Sequence, residues 1–548
     1  MRKRSMSRRS ADRFVARFAA WASRYYSRIF AFIRGSSFRR QATIAFGIVA
    51  MNSLLLLPTF GAEPALRIGW ASADLTPDRP VLIGGQFHAR VSEGVMDPVT
   101  ATVLALESVR GEKPTRLIMV SCDLININDA VRDGVRERLR ETLPDVAPLS
   151  IILFGTHTHS APYTAVRPRF RPDPQTNDRP YGVDFNVMPP SEYVAFATER
   201  IANAVIQAWN GRQPGAIAFG LGHAVVGRNR LMAYRNGKSQ MYGNINRSNF
   251  SHVEGYEEAS LHVLTTYDAD RKLTGMILNL ACPSQVSERE YRISADFWHE
   301  TRQEIRRRFG DHVHVLAQHG PAGDQSPRIL VDQPAEMRMW RLAGRTQRQE
   351  IAWRIAEAVS GLLPLIEKEI ETNPVLRHRV ETLELPRRQV PERDVKQALA
   401  ESDRHRKRYE QWVRELEANP EARKRRRWYH DVSRAYRLSL RGRNVADRVA
   451  IQETHPNIEI EVHVVRLGEV AFATNPFELY LDFGMQMRAR SKATQTFLIQ
   501  LAGPGSYLPT QRSVRGGAYG ALPASTEVGP ESGDTLVDWT VETINRMF

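Results

Sequence analysis

The most specific candidate for chemistry is the segment T-H-T-H-S-A-P at residues 156–162, which directly follows the apolar run S-I-I-L-F. Residues two apart in a strand point to the same face, so His157 and His159 are expected to project together where the strand ends. Neutral imidazoles are good zinc ligands. An ordinary polar strand end is the alternative, so this pattern by itself indicates a metal site without establishing one.

A second candidate is Ser326 in G-P-A-G-D-Q-S-P, residues 320–327, which also follows an apolar run. The glycines and prolines around it predict a tight turn. A serine in such a turn could attack or bind a substrate, and the N–H groups of the turn could hold an oxyanion. An ordinary strand-to-loop turn is the alternative. The segment is not a G-x-S-x-G elbow, which excludes the α/β-hydrolase arrangement.

Three further polar residues follow apolar runs or lie in glycine-rich loops. Glu478 in N-P-F-E-L-Y is expected in the first turn of a helix, where a carboxylate either serves a site or stabilises the helix dipole. Cys282 in L-N-L-A-C-P-S-Q is either a zinc-binding thiolate or a buried spectator thiol. Tyr507 in G-S-Y-L-P-T either packs or hydrogen-bonds to a transition state.

Short apolar runs alternate with amphipathic segments through the region that carries these candidates. The runs predict buried strands over Arg116–Cys122, Ser150–Phe154, Ala216–Gly220, Leu273–Leu280 and His314–Leu316. The helical period predicts helices over Asp129–Thr142, Ser191–Trp209 and Phe297–Phe309. Such alternation predicts an α/β domain in which sheets and helices form layers.

Composition divides the chain into four parts. Residues 1–62 form a basic N-region with an export signal, 63–334 the first part of the α/β domain, 335–450 a charged helical insertion, and 451–548 the second part of the domain. Residues 392–449 are rich in arginine and poor in apolar positions, which is typical of a solvated helical segment that adds little to the core. Contact with a membrane surface or an anionic partner is the alternative.

The N-terminal part accounts for most of the net charge of +15. It holds 12 of the 76 Lys and Arg residues and one acid, which leaves 64 bases against 60 acids in the rest. The composition therefore gives no indication of nucleic-acid binding. The apolar run Ala42–Leu57 after a basic stretch predicts a cleaved export signal, with a mature start near Glu63 in the periplasm or outside the cell. An uncleaved membrane anchor over 42–57 is the alternative.

Taken in order, these segments resemble the catalytic domain of the neutral/alkaline non-lysosomal ceramidases. The segment I-G-W-A-S-A-D-L-T-P is similar to the family's opening D-I-T-P segment. Other similar segments are L-I-M-V-S-C-D-L, T-H-T-H-S-A-P, G-R-N-R-L, L-N-L-A-C-P-S-Q, G-P-A-G-D-Q-S-P, N-P-F-E-L-Y and G-S-Y-L-P-T. The resemblance covers residues 66–330 and 455–520.

The resemblance implies one zinc ion and a serine at the reaction centre. The implied zinc ligands are His157, Cys282, Glu478 and Tyr507. Ser326 would attack or orient water, Tyr507 would help stabilise the oxyanion, and His159 would transfer protons or support a ligand. Arg230 of G-R-N-R-L and Asp324 of the G-D-x-S-P segment would contact the substrate.

Two departures from the family pattern affect these expectations. Cys282 stands where ceramidases have a second ligand histidine, so the site either binds zinc through a thiolate or binds it weakly or not at all. A Cys122–Cys282 disulfide is a further alternative, and His159 would then be the first residue to test as the missing ligand. The chain also ends soon after G-S-Y-L-P-T, so the C-terminal Ig-like domain of ceramidases is expected to be absent.

The resemblance implies an α/β fold with two mixed sheets packed between helices, a four-layer αββα sandwich, here with a helical insertion. The implied activity is zinc-dependent hydrolysis of an amide (N-acyl) bond in a small-molecule or lipid substrate. A non-catalytic binding protein that kept the fold and an esterase or other acyl hydrolase on the same site are the alternatives. The sequence does not predict the oligomeric state.

Overall fold

The computed structural model describes residues 66–110, 114–165 and 179–548, which belong to one compact unit, Pro64–Phe548. The predicted export signal lies outside the described residues. No helix of the described ranges is both long and apolar enough to cross a bilayer.

The elements alternate along the chain as the sequence predicts. The strands are β1 Leu66–Asp74, β2 Thr100–Ser108, β3 Thr115–Cys122, β4 Ile151–Gly155, β5 Gln213–His223, β6 Arg228–Asn229, β7 Leu231–Tyr234, β8 Ser239–Met241, β9 Phe250–Val253, β10 Ser260–Asp268, β11 Leu273–Leu280, β12 His314–His319, β13 Gln325–Ser326, β14 Leu376–Pro386, β15 Asn457–Leu467, β16 Val470–Thr474, β17 Glu478–Leu479, β18 Gln495–Ile499 and β19 Tyr507–Leu508. The helices are α1 Asp129–Leu139, α2 Pro190–Asn210, α3 Phe297–Phe309, α4 Gln333–Leu342, α5 Gln347–Ile366, α6 Glu392–Ala418, α7 His430–Ile451, α8 Leu481–Arg490, α9 Gln511–Gly516 and α10 Pro530–Met547.

Two mixed sheets form the centre of the fold. The larger has eight strands in the order β12-β11-β10-β5-β1-β2-β3-β4, with parallel pairs at β3/β4 and β11/β12. The smaller has the order β14-β15-β16-β18, with β16 and β18 parallel. The two pack face to face through one apolar cluster, in which Leu104 and Phe154 of the larger sheet join Phe472 and Phe497 of the smaller. Alternate residues of β2 face opposite ways, so Leu104 and Leu106 join this shared core while Val103 and Ala105 pack under the helices.

Helices cover the outer face of each sheet. Helices α1 and α2 pack on β1, β2 and β3, and helices α3 and α5 pack on β10, β11 and β12. Helices α8 and α10 cover the smaller sheet. The predicted four-layer α/β sandwich is confirmed.

The structure divides residues 335–450 differently from the prediction of one charged insertion. Helix α5 packs on the larger sheet through Ile351, Ile355 and Val359. Strand β14 pairs with β15 along its whole length and is the edge of the smaller sheet. Helix α5 and strand β14 therefore belong to the layers of the sandwich, whereas the hairpin of α6 and α7 lies outside them. The many charged residues on the outer faces of α5 and β14 made the whole segment look like a charged insertion, and the apolar residues of their inner faces were therefore not recognised in the sequence.

The hairpin of α6 and α7 is not a purely solvated segment. Leu416 of α6 and Val432 of α7 are 6% and 1% exposed, and they form an apolar cluster with Leu82 and Tyr181 of the main domain. Within the hairpin, the two helices approach closely where Gly442 faces the backbone of Ala398. The few apolar positions of this segment are therefore concentrated on its buried side.

Replacing Leu416 by alanine is expected to lower the free energy of unfolding by about 2 to 4 kcal/mol, because it removes buried methyl groups and leaves a cavity. Leu365, which is 58% exposed, is the matched control, and its replacement by alanine should change stability by less than about 0.5 kcal/mol. Urea unfolding followed by circular dichroism measures both. Coincident curves for the two variants would show that the hairpin adds nothing to stability.

Candidate functional site

Two histidines meet in the loop that follows β4. His157 has a left-handed backbone, with φ of 63°, so the chain leaves the strand direction there. The Nε2 atoms of His157 and His159 nevertheless lie 3.2 Å apart. The prediction that these side chains project together agrees with the structure, but the turn at His157 produces the arrangement, whereas the prediction assumed continued strand alternation.

Glu478 and Tyr507 are brought together by the two-residue parallel pairing of β17 with β19, in which they are direct partners. Glu478 was expected in the first turn of a helix, but it lies in β17 and the helix begins at Leu481. Burial, followed by the charge of Glu478, raises the pKa of the Tyr507 phenol well above its usual value. Glu478 Oε2 lies 3.6 Å from His157 Nε2. Three of the four predicted zinc ligands are thus neighbours.

Arg230 places a buried positive charge beside this group. Its guanidinium donates to the Tyr507 hydroxyl at 3.2 Å and lies 3.7 Å from Glu478 Oε2. It also donates to the Tyr242 hydroxyl at 3.2 Å and to the Gly323 carbonyl at 2.9 Å. With its side chain 3% exposed, Arg230 is held rigidly at the point where the loops after β4, β12 and β16 converge.

Ser326 is positioned by the short antiparallel pair of β13 with β6, in which it faces Arg228. Its Oγ accepts hydrogen bonds from the Tyr242 hydroxyl at 3.2 Å and from the Arg328 backbone N–H at 3.1 Å. Both are donors to Oγ, so the hydroxyl hydrogen of Ser326 stays available for a substrate or a base. Within the described ranges, no histidine or carboxylate is recorded hydrogen-bonding to Oγ.

A chain of hydrogen bonds therefore links the serine to the predicted ligands. It runs from Ser326 through Tyr242 to Arg230, and from Arg230 to Tyr507. Tyr242 was not identified from the sequence, because a tyrosine in a loop after a short strand has no distinguishing local pattern.

Gln285 and His319 are two further residues that sequence reasoning missed. Gln285 Oε1 accepts from Arg230, and its Nε2 donates to His159 Nε2 at 2.8 Å. The His319 ring stacks on His157, with centroids 5.6 Å apart. His319 is the last residue of β12 and Gln285 lies in the loop after β11, and these positions were the only sequence signal for the two residues.

Asp324, whose contact with a substrate stays a prediction, has its carboxylate held by the protein itself. Its two carboxylate oxygens accept from the Leu481 backbone N–H at 3.0 Å and from Asn229 Nδ2 at 2.9 Å. It is 2% exposed, and burial raises its pKa to about 6. Asp324 therefore joins the turn that carries Ser326 to the start of α8 and to β6, and acts as a positioning residue.

Asp123 fixes the start of the histidine loop. It is fully buried, forms a two-contact ion pair with Arg302 at 2.7 and 3.0 Å, and accepts from Thr156 Oγ1 at 3.2 Å. Because Thr156 immediately precedes His157, this network sets where the histidine ring can lie.

The insertion hairpin also reaches the edge of the site. The Arg441 guanidinium of α7 lies 4.9 Å from the centre of the Tyr519 ring. Tyr519 in turn packs edge-on against Tyr507, with centroids 6.1 Å apart. The hairpin is therefore coupled to a residue of the site through one aromatic contact.

Comparisons with known proteins place this arrangement in a known fold. The sequence matches no family model and no curated protein. Two solved structures are similar: the neutral ceramidase from Pseudomonas aeruginosa, with a TM-score of 0.60, and a ceramidase complexed with C2, with a TM-score of 0.61. Each is 16% identical, and the alignment covers 89% of this chain and 75% of the other.

The chain has the fold of the neutral ceramidases. The resemblance predicted from the motifs is thus confirmed for the fold, over most of the described chain.

Cys282, which occupies the position of the ceramidase ligand histidine, points elsewhere. Its Sγ donates to the Pro283 carbonyl at 3.5 Å, and the side chain packs with Phe297 and Trp298 in the apolar cluster under α3. It is 1% exposed, and burial raises the pKa of its thiol well above the usual value. Cys122 and Cys282 are both free thiols, so the two do not form a disulfide.

The hydrogen-bond network fixes the protonation of the two site histidines. Burial lowers the pKa of His157 despite the nearby Glu478, and burial followed by the charge of His157 holds the pKa of His159 well below its usual value. Burial therefore favours the neutral form of both rings. His157 Nδ1 lies 2.7 Å from the Ile125 carbonyl and must donate to it, which leaves a lone pair on Nε2. The Gln285 amide N–H donates to His159 Nε2, so the single lone pair of that nitrogen is taken up by this hydrogen bond.

The donors in this group, imidazole nitrogen and carboxylate oxygen, are of the types that bind zinc. The Nε2 atoms of His157 and His159 lie 3.2 Å apart, and a Glu478 carboxylate oxygen lies 3.6 Å from His157 Nε2. In the described ranges no group of three or more His, Cys, Asp or Glu side chains already forms a metal-binding arrangement. His159 Nε2 would bind such an ion only in place of its hydrogen bond from Gln285.

Proposed function

We propose that this protein is a hydrolase of linear amide (N-acyl) bonds, acting on a lipid or other small-molecule amide. The observation that carries the proposal is the hydrogen-bonded chain from Ser326 through Tyr242 and Arg230 to Tyr507, located in a ceramidase fold. It connects a serine that keeps its proton with a group of buried polar donors. Such an arrangement suits attack on a carbonyl carbon and stabilisation of the resulting oxyanion.

In this proposal Ser326 Oγ attacks the carbonyl carbon of the amide. The Oγ–C bond forms, the C–N bond breaks, and the serine proton ends on the leaving nitrogen. Water then hydrolyses the acyl-serine ester and returns a proton to Oγ. Tyr242 holds Oγ in place, and Arg230 keeps a fixed positive charge near the developing oxyanion.

We further propose that zinc is the cofactor, held by His157, His159, Glu478 and Tyr507. Zinc, when bound, polarises a carbonyl oxygen and acidifies water. Arg230 supports the anionic donors of this set, because it lies 3.7 Å from Glu478 and donates to Tyr507. Export from the cytoplasm, and contact of the basic hairpin with a membrane surface, stay predictions from the sequence.

A panel of matched substrates tests the function. N-acyl amides and the corresponding esters with the same acyl groups are incubated with the purified protein, with and without added zinc, and the released amine or alcohol is measured. Amide turnover that exceeds the background rate is the expected result. Turnover of esters alone would show that the protein is an esterase or other acyl hydrolase and not an amidase. Tight binding without any turnover would show that it is a non-catalytic binding protein.

A further inference from the structure

A cavity of about 280 Å³, open to solvent, lies between the two helices of the insertion hairpin. Residues spaced three, four and seven apart share one face of a helix. One such face of each helix lines the cavity, with His405, Arg408 and Trp412 from α6 and Asp431, Arg434, Ala435 and Leu438 from α7. At about 30 Å³ for each water molecule, the cavity has the volume of roughly nine waters, which is enough for a small polar ligand.

Two arginines of the cavity have no counter-ion among the described residues. The guanidinium groups of Arg408 and Arg434 make no recorded ion pair or hydrogen bond with that part of the chain. By contrast, Arg406 of the same helix pairs with Glu410 at 2.8 Å. The donors of Arg408 and Arg434 are therefore free for a ligand that enters the cavity.

The charge of the cavity wall favours an anion. Asp431 is the one acid among the described lining residues, and its Oδ1 lies 2.9 Å from His430 Nδ1. Burial, followed by the charge of Arg408, lowers the pKa of His405, and the charge of Arg434 adds to this shift. An anion in the cavity would be attracted by both arginines and opposed by one carboxylate that His430 already contacts.

Trp412 gives the cavity a fixed aromatic wall. It packs against the apolar cluster that contains Leu416 and Val432 and joins the hairpin to the main domain. A phosphate has enough oxygens to accept from two guanidinium groups at once, whereas a carboxylate has only two. Two arginines beside an aromatic ring therefore suit a phosphate ester whose organic part covers the ring.

We propose that this cavity is a binding site for a phosphate ester, with the phosphate held by Arg408 and Arg434 and the organic part against Trp412. The lining residues are not among those of the candidate hydrolase site, so the inference does not rest on the proposed function. A soluble phosphate ester and the phosphate of a lipid head group share this chemistry. The test therefore has one arm for each source.

Glycerol 3-phosphate is the soluble probe, and its binding to the purified protein is measured by calorimetric titration at low ionic strength in a buffer without phosphate. Vesicles of phosphatidylcholine that contain phosphatidic acid are the lipid probe, and co-sedimentation measures binding to them. Vesicles of phosphatidylcholine alone are the blank for this arm. The wild-type protein should bind at least one of the two phosphate probes.

Three matched variants locate the binding. Arg408→Gln and Arg434→Gln should each weaken it at least about tenfold, because each removes charge-assisted hydrogen bonds to the phosphate. Arg414→Gln makes the same change on α6 at an arginine that does not line the cavity, and it should leave binding within about twofold of the wild type. All three arginines are exposed, so none of the changes should disturb folding.

Weaker binding of glycerol 3-phosphate by both cavity variants would assign the site to a soluble phosphate ester. The same dependence for vesicles alone would assign it to a lipid head group. Absence of binding to both probes, or unchanged binding by Arg408→Gln and Arg434→Gln, would refute the site. Equal weakening by Arg414→Gln would also refute it, because the basic surface of the hairpin would then attract anions without a defined site.

Discussion

Replacing Ser326 by alanine should lower kcat/KM for an N-acyl amide at least about a thousandfold, because removal of a nucleophile leaves only binding and oxyanion stabilisation. Tyr242→Phe should have a smaller effect, about tenfold, since it removes one hydrogen bond that orients Oγ and leaves the nucleophile itself. Initial rates on a single amide substrate measure both variants. A large loss of kcat/KM for Ser326→Ala and a smaller loss for Tyr242→Phe would indicate that Ser326 is the nucleophile and that Tyr242 orients it.

Two controls accompany the Ser326→Ala measurement. Its metal content should equal that of the wild type, because Ser326 is not among the proposed donors. Its stability should fall by only about 1 kcal/mol, as expected when the Arg328 N–H loses a neutral partner. If the variant kept a tenth or more of the activity, Ser326 would not be the nucleophile, and direct attack by water would replace the acyl-serine route.

His159→Ala should weaken zinc binding by at least about a hundredfold, whereas Cys282→Ala should leave the affinity within a few-fold of the wild type. The reason is geometric: His159 Nε2 lies 3.2 Å from His157 Nε2, and the Cys282 thiol packs in an apolar cluster against the Pro283 carbonyl. Competition with a chelating indicator, followed by elemental analysis of the dialysed protein, measures the affinity and the stoichiometry.

His157→Ala is the positive control for this series and should lose zinc. His157 is a donor both in the ligand set that the family resemblance implies and in the set proposed from the structure. Counting thiols on denatured, unreduced protein should give two, in keeping with two free cysteines. Loss of zinc in Cys282→Ala together with its retention in His159→Ala would show that the thiol rotates to bind the ion, as the family resemblance first implied.

Much of the fold follows from local patterns. Strand β11 and helix α3 have the bounds that the sequence predicts, Leu273–Leu280 and Phe297–Phe309. Buried apolar runs and amphipathic periodicity are local signals, and in these segments the tertiary structure agrees with them. Residues 335–450 were interpreted less well, because charged residues on the exposed faces of α5 and β14 masked the faces that pack on the sheets.

The sequence by itself determined which segments carry the candidate site. His157, Ser326, Glu478 and Tyr507 each follow an apolar run or lie in a glycine- or proline-rich turn, and the structure brings the loops that hold them to one place. Loops that follow strands can carry side chains with free polar groups, because the residues of these loops are not needed for sheet pairing or core packing. Their positions after strands predicted only an α/β domain, whereas the four-layer sandwich was predicted from the family resemblance that the order of these motifs carries.

Only the tertiary structure decided how the side chains meet. Pairing of β17 with β19 makes Glu478 and Tyr507 neighbours, and the left-handed turn at His157 brings its ring to His159. The position of Cys282 after a strand and before a proline matched the ceramidase histidine, yet its thiol packs into the core. The direction of a side chain beyond a strand end depends on the local backbone dihedrals and on the space its neighbours leave, and both are set by contacts between segments far apart in the sequence.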